Sequence, residues 1–148
     1  SLDVIDWALN INDPEDWKRS NQSKKASVLI ETNDNEFKHH LDRYKYSKRY
    51  DNEDPIIHRE KCLVFIDTLE EQLKISKFLH DEKVSALDIS IFPFIRQFRI
   101  ADMNWFDSLN KPKIQSWLMN FLESELFKGI MFKYEKWEES DEKVFFPN

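Results

Sequence analysis

The 148-residue sequence contains a single glycine. Average usage is about 7%, and hairpin-rich sheets draw on glycine for turns with positive φ. Its scarcity argues against a β fold and predicts helices joined by turns of Asn, Asp and Pro. Cysteine is as scarce: Cys62 stands alone, which excludes an internal disulfide and fits a reducing compartment. No apolar run approaches the ~20 residues that span a bilayer, so no membrane is expected. Positive charge is not in excess either. The net charge is -6, whereas nucleic acid selects a dominant basic face and is therefore not the expected partner. Residues 1–10, SLDVIDWALN, are acidic and amphipathic and lack the pattern of a secretory signal. The expected location is the cytoplasm.

What is present is apolar and aromatic. The chain is 41% hydrophobic and 14% aromatic beside 34% charged residues, so it can pack a core instead of remaining disordered. Leu2, Ile5 and Leu9 share a face of a short first helix, with Trp7 nearby, Ser1 as its N-cap and Asp3 in its first turn. Residues 10–23 lose periodicity and read as a linker with one turn around 14–17. A helical stretch over 24–50 carries Phe37, Leu41 and Tyr44 at spacings of 4 and 3, and the TNDN run at 32–35 is a candidate break. Pro55 suits the first position of the next helix. There Cys62, Ile66, Leu69 and Leu73 recur at 4, 3 and 4, and Glu60, Lys61, Asp67, Glu70 and Glu71 are assigned to the opposite, polar face. Trp105 and Phe106 read as part of a short connection. Pro112 opens a helix with Ile114, Trp117, Leu118, Phe121 and Leu122 on one face. A break near Ser124 and a last helix to about residue 133 complete the set.

The run SALDISIFPFIRQF, residues 85–98, predicts a central helix that is apolar all round and hence buried in a bundle. Ser85 and Asp88 have the spacing of a capping box, with Asp in place of the commoner Glu, and Val84 and Ile89 occupy the staple positions. Pro93 lies too deep for a first turn, so a kink is expected there. Arg96 and Gln97 should meet a neighbour's polar groups or an edge.

Residues capable of chemistry are few. His58 and Cys62 are four apart, a spacing that can share a metal, but Cys62 sits on the apolar stripe and reads as a buried thiol. His39 and His40 are adjacent and so point about 100° apart on a helix, which argues against a shared metal. The basic and aromatic stretch HHLDRYKYSKRY reads as a solvated helix face. No local motif joins a nucleophile to a base, and neither a catalytic residue nor a metal site is assigned.

Taken in order, EFKHHLDRYKYSKRY (36–50), DISIFPFIRQF (88–98), NWFDSL (104–109) and WLMNFLESELFKGIMFKYEKW (117–137) resemble a bacterial subgroup of the glutathione S-transferases, over about the whole chain. The resemblance implies an all-α fold, the helical bundle of that family's C-terminal domain. Residues 1–10 would be the last helix of a truncated thioredoxin-like domain, 11–23 a linker, and 24–148 the helical domain. It implies glutathione as co-substrate, bound mainly by the thioredoxin-like domain, with Ser1 holding its γ-glutamyl end. A serine at a helix N-terminus suits a carboxylate ligand. The same likeness places Phe37, His40 and Tyr44 in the wall of the electrophile pocket. The alternative is that Phe37 and Tyr44 are simply core. Trp137, Phe145 and Phe146 would cover that pocket or pack on the bundle. The implied activity is conjugation of glutathione to electrophiles or reduction of mixed disulfides, in a homodimeric full protein of which this chain alone is inactive. The alternative is a non-catalytic protein-interaction module of the same helical fold.

Overall fold

A computed structural model describes residues 2–131 together with 133, 136, 138 and 139. Among these residues the regular structure is helical: α1 (Leu2–Ile11), a 3-10 turn (Trp17–Gln22), α2 (Lys24–Thr32), a π-helical turn (Asn33–Phe37), α3 (Lys38–Lys45), a second 3-10 turn (Ser47–Arg49), α4 (Pro55–Ile75), α5 (Ala86–Ala101), α6 (Met103–Ser108), α7 (Pro112–Leu122) and α8 (Glu125–Ile130). The turns use the residues that the lack of glycine demands. Asp16 adopts positive φ, Pro55 and Pro112 open helices, and Gly129 lies inside α8.

α5 is the axis of the bundle, with α2, α3, α6, α7 and the first 3-10 turn packed around it, while α4 packs on α3 and α7. Ile91, Ile95 and Phe98 of α5 are wholly buried. The helix is not buried on every side, however. Pro93 and Ile100 are exposed, so one edge faces outward. Pro93 lies within this helix and on its exposed edge. Arg96 lies over the Phe127 ring, and the Gln97 side chain accepts from Lys45 Nζ at 3.0 Å.

Three further expectations are corrected. TNDN does not break the long helix. The π-turn absorbs the irregularity, with the Lys38 N–H reaching back to the Asn33 carbonyl, and the helical path continues to Lys45. Trp105 and Phe106 are not in a connection but in α6, whose N-cap Asp102 accepts from the Trp105 N–H at 3.0 Å. Glu70 is not on a solvated face. It is 5% exposed, and its carboxylate accepts from the N–H groups of Lys113 and Ile114 at 3.2 and 2.8 Å. Lys111, the N-cap of α7, has no capping side chain of its own. A glutamate from α4 supplies the missing acceptors and favours the positive end of the α7 dipole.

The first 3-10 turn clasps the loop before α5. Arg19 donates to both Asp81 carboxylate oxygens at 2.8 and 2.9 Å and to the carbonyls of Lys83 and Val84. The guanidinium, chiefly through these hydrogen bonds, holds the Asp81 carboxyl well below the usual carboxylate range. Because its pKa is depressed in the native state, the stabilisation is complete above the unfolded value of about 3.9 and is lost as pH falls below it. Arg19→Ala is expected to cost about 1–2 kcal/mol at neutral pH, at the lower end for a charged pair because the Asp81 side chain is 41% exposed. Urea unfolding at pH 7 and pH 3 checks this: the gap between wild type and variant should begin to narrow at pH 3 and stay open there, because the depressed carboxyl is still ionised.

Candidate functional site

The start of α5 is densely hydrogen-bonded. Asp88 and Ser85 are wholly buried and form the expected capping box. One Asp88 oxygen accepts from the Ser85 N–H at 3.0 Å and the Ser85 hydroxyl at 2.8 Å. The other accepts from the Leu79 N–H at 2.9 Å and from Trp117 Nε1–H at 3.0 Å. One carboxylate therefore ties the cap, the preceding loop and α7 together, and four donors compensate its burial. Ser20 adds a fifth tether, accepting from the Leu87 N–H at 3.2 Å. The N–H groups that a buried helix start leaves without partners are thus met by the capping box itself and by Ser20 of the first 3-10 turn. This cluster has no chemistry to perform, since each polar atom is committed to a neighbour.

The second locus is the face of α3 with its π-turn. Phe37 is 1% exposed and packs its ring against Phe65 and Phe98, with centroids 5.1 and 5.6 Å away. Tyr44 is partly buried and meets Phe98 edge-on at 5.7 Å. Burial, the first cause, raises the Tyr44 phenol above its ordinary value. Phe98 is thus the shared anvil of Phe37 and Tyr44. His40 turns elsewhere. Its Nδ1 lies 2.8 Å from Nδ1 of His58 on α4, and burial, followed by the charges of His39, His58, Lys61 and Arg43, lowers its pKa. The structure therefore brings Phe37 and Tyr44 together and pairs His40 with a residue that the sequence offered only as a partner for Cys62. Cys62 itself is wholly buried, its thiol donating weakly to the Phe37 carbonyl at 3.9 Å. Burial pushes its pKa up to about 12, so no reactive thiolate forms near neutral pH. Among the described residues no group of three or more His, Cys, Asp or Glu is placed to hold a metal ion, and no helix is long and apolar enough to cross a membrane.

The third locus lies beside α1. A groove of about 330 Å³ separates this helix from the bundle, lined among others by Leu2, Ile5, Ser20, Ala26, Ile30 and Ser90. α1 buries none of its residues. Val4, Trp7 and Ile11 are 63%, 64% and 68% exposed, and their spacing of 3 and 4 makes one apolar stripe. The sequence showed the inner face of this helix, Leu2, Ile5 and Leu9, but gave no reason to single out the outer one. Ser1, Trp137, Phe145 and Phe146 lie outside the described residues.

No known family profile matches the sequence, and no curated protein does. Solved structures do match the fold. A glutathione S-transferase from Pseudomonas fluorescens superposes with a TM-score of 0.56 at 16% identity, over 72% of this chain and 55% of its own. A glutathione S-transferase of class Gtt2 from Vibrio parahaemolyticus gives a TM-score of 0.61 at 15% identity, over 84% of this chain and 63% of its own. The bundle is therefore an all-α fold of the kind found in bacterial glutathione S-transferases, and the match spans little more than half the length of those proteins.

Proposed function

We propose that this chain is the helical part of a larger glutathione S-transferase-like protein, and that a thioredoxin-like domain packs against α1. The observation that carries the reading is the bare stripe of Val4, Trp7 and Ile11. Large apolar side chains in a row on a helix that buries nothing are rarely left uncovered. In this reading residues 1–10 belong to the thioredoxin-like domain, 11–23 link the two, and 24–148 form the helical domain. The neighbours' names supply the chemistry. The other domain binds glutathione and favours its thiolate, which attacks an electrophile or the sulfur of a mixed disulfide. Ser1 holds the γ-glutamyl end. Tyr44 faces the electrophile, with Phe37 packed behind it and His40 turned towards α4, and the full protein is a cytoplasmic homodimer.

The test is to assay the natural-length protein beside this chain alone. Glutathione conjugation or disulfide reduction is expected from the former, and no rate above background from the latter, which in this reading is without the glutathione-binding domain. A natural-length protein that neither binds nor uses glutathione contradicts the reading. The second reading, a non-catalytic interaction module, is favoured by Ile57 and Val64 on α4, which are one heptad apart and 58% and 66% exposed. It predicts protein partners and no glutathione binding.

A further inference from the structure

The α3–α4 seam holds an arrangement that the transferase reading does not use. His40 Nδ1 and His58 Nδ1 face each other at 2.8 Å, and His58 Nε2 lies 2.8 Å from Glu53 Oε2. The same Glu53 oxygen is 2.8 Å from Arg43 Nε, and Arg43 Nη1 is 3.2 Å from His39 Nδ1. The His39 ring stands 5.0 Å from that of His40 and 6.3 Å from that of His58. Lys61, also on α4, adds its charge to the field at His40. The pair is thus faced by three cations or potential cations, His39, Arg43 and Lys61, and by one carboxylate, Glu53.

Two imidazole nitrogens at hydrogen-bond distance hold one proton between them. In the neutral pair His58 Nε2–H donates to Glu53, its bare Nδ1 accepts, and His40 Nδ1–H donates. One further proton fits on His40 Nε2. A second does not, because it would set an N–H against an N–H. The native pair therefore takes up one charge where the unfolded chain, with separate imidazoles, takes up two.

We propose that the His40–His58 pair is an acid-sensitive latch on the α3–α4 seam: uptake of the proton that the pair cannot hold breaks the Nδ1–Nδ1 contact and frees α3 from the Glu53 end of α4. The sign follows from proton counting. Below about pH 6.5, the ordinary histidine value, the unfolded state binds more protons than the native state, so stability falls as pH falls. Above that value the pair has no such effect. One proton of difference lowers the folding constant about tenfold per pH unit. The inference is independent of any transferase activity.

Denaturant unfolding of wild type, His40→Gln and His58→Gln between pH 7.5 and 5.5 tests it, with carboxylate contributions common to all three cancelling in the comparison. The wild type should lose about fivefold more of its folding constant than either variant between pH 6.5 and 5.5, the unmatched proton being only half bound at the upper end. Parallel curves would overturn the latch. Histidine NMR of the wild type reads the same device without mutation. His40 and His58 should together take up a single proton before the backbone signals of 38–58 shift, whereas independent titration of both rings in an unchanged seam would refute it.

Discussion

Asp88→Ala is expected to remove about 3–5 kcal/mol of stability, the loss that follows when several buried neutral donors are left without an acceptor. Four donors lose their acceptor at once: the Ser85 N–H, the Ser85 hydroxyl, the Leu79 N–H and Trp117 Nε1–H. None can turn to water, since Ser85 and Leu79 are wholly buried and Trp117 is 2% exposed. In a domain of this size each kcal/mol shifts Tm by about 2–4 °C, so the variant should melt some 6–20 °C lower or fail to fold. Asp88→Asn separates charge and hydrogen bonding from shape. Its carbonyl can keep the Leu79 and Trp117 donors, but its amide confronts the Ser85 N–H, and an intermediate loss of about 1.5–3 kcal/mol is expected. Thermal denaturation of the two variants beside wild type makes the check. If Asp88→Ala melts within a degree of wild type, the buried hub is not what holds the bundle axis.

Phe98→Ala should be nearly as costly for a different reason. The Phe98 ring is wholly buried and touches four others: Phe37 and Tyr44 on one side, Trp105 and Phe106 on the other, with centroids between 5.6 and 6.0 Å. Removing it opens a cavity, and such Phe→Ala changes cost about 3–5 kcal/mol. The two large losses should differ in their local signature. Asp88→Ala loosens the start of α5 and the loop before it. Phe98→Ala releases Phe37 and Tyr44, the side chains proposed for the pocket wall. Hydrogen exchange should therefore rise first at 79–90 in the former and at 37–45 in the latter. If exchange rises equally everywhere in both variants, the two clusters are one cooperative unit and the distinction fails.

Much of this was legible where the sequence acts locally. The 3.6-residue recurrence of Cys62, Ile66, Leu69 and Leu73 marks α4, whose observed bounds are Pro55–Ile75. The Ser-x-x-Asp spacing announced the cap of α5, which the structure contains. What stayed illegible comes from residues meeting across long separations. Asp88 reads as a local cap, yet half of its donors are Leu79 and Trp117, 9 and 29 positions away. Glu70 reads as solvated because charged residues usually are, yet it caps α7 from 44 positions before Ile114. His40 reads as a lone histidine beside His39, while its partner is 18 residues on, across a helix turn that only the fold closes. At the TNDN run, helix-weakening residues signalled a break that a widened π-turn resolved instead. For the candidate site, the face of α3 was legible from period alone. An enclosed Phe37 was one of the two readings the sequence offered, and its 1% exposure favours that one. That His40 would be paired was not legible, because it follows from the register of α3 against α4.

The intact mass of the natural protein, taken from its own source and set beside the 18.0 kDa of this chain, tests the central claim most directly. A polypeptide heavier by about a thioredoxin-like domain, containing this sequence, is the predicted result, and Val4, Trp7 and Ile11 should then be protected from exchange or labelling in it. A natural product of 18.0 kDa, with that stripe open to solvent, would contradict the claim and turn the reading of this bundle towards partner proteins.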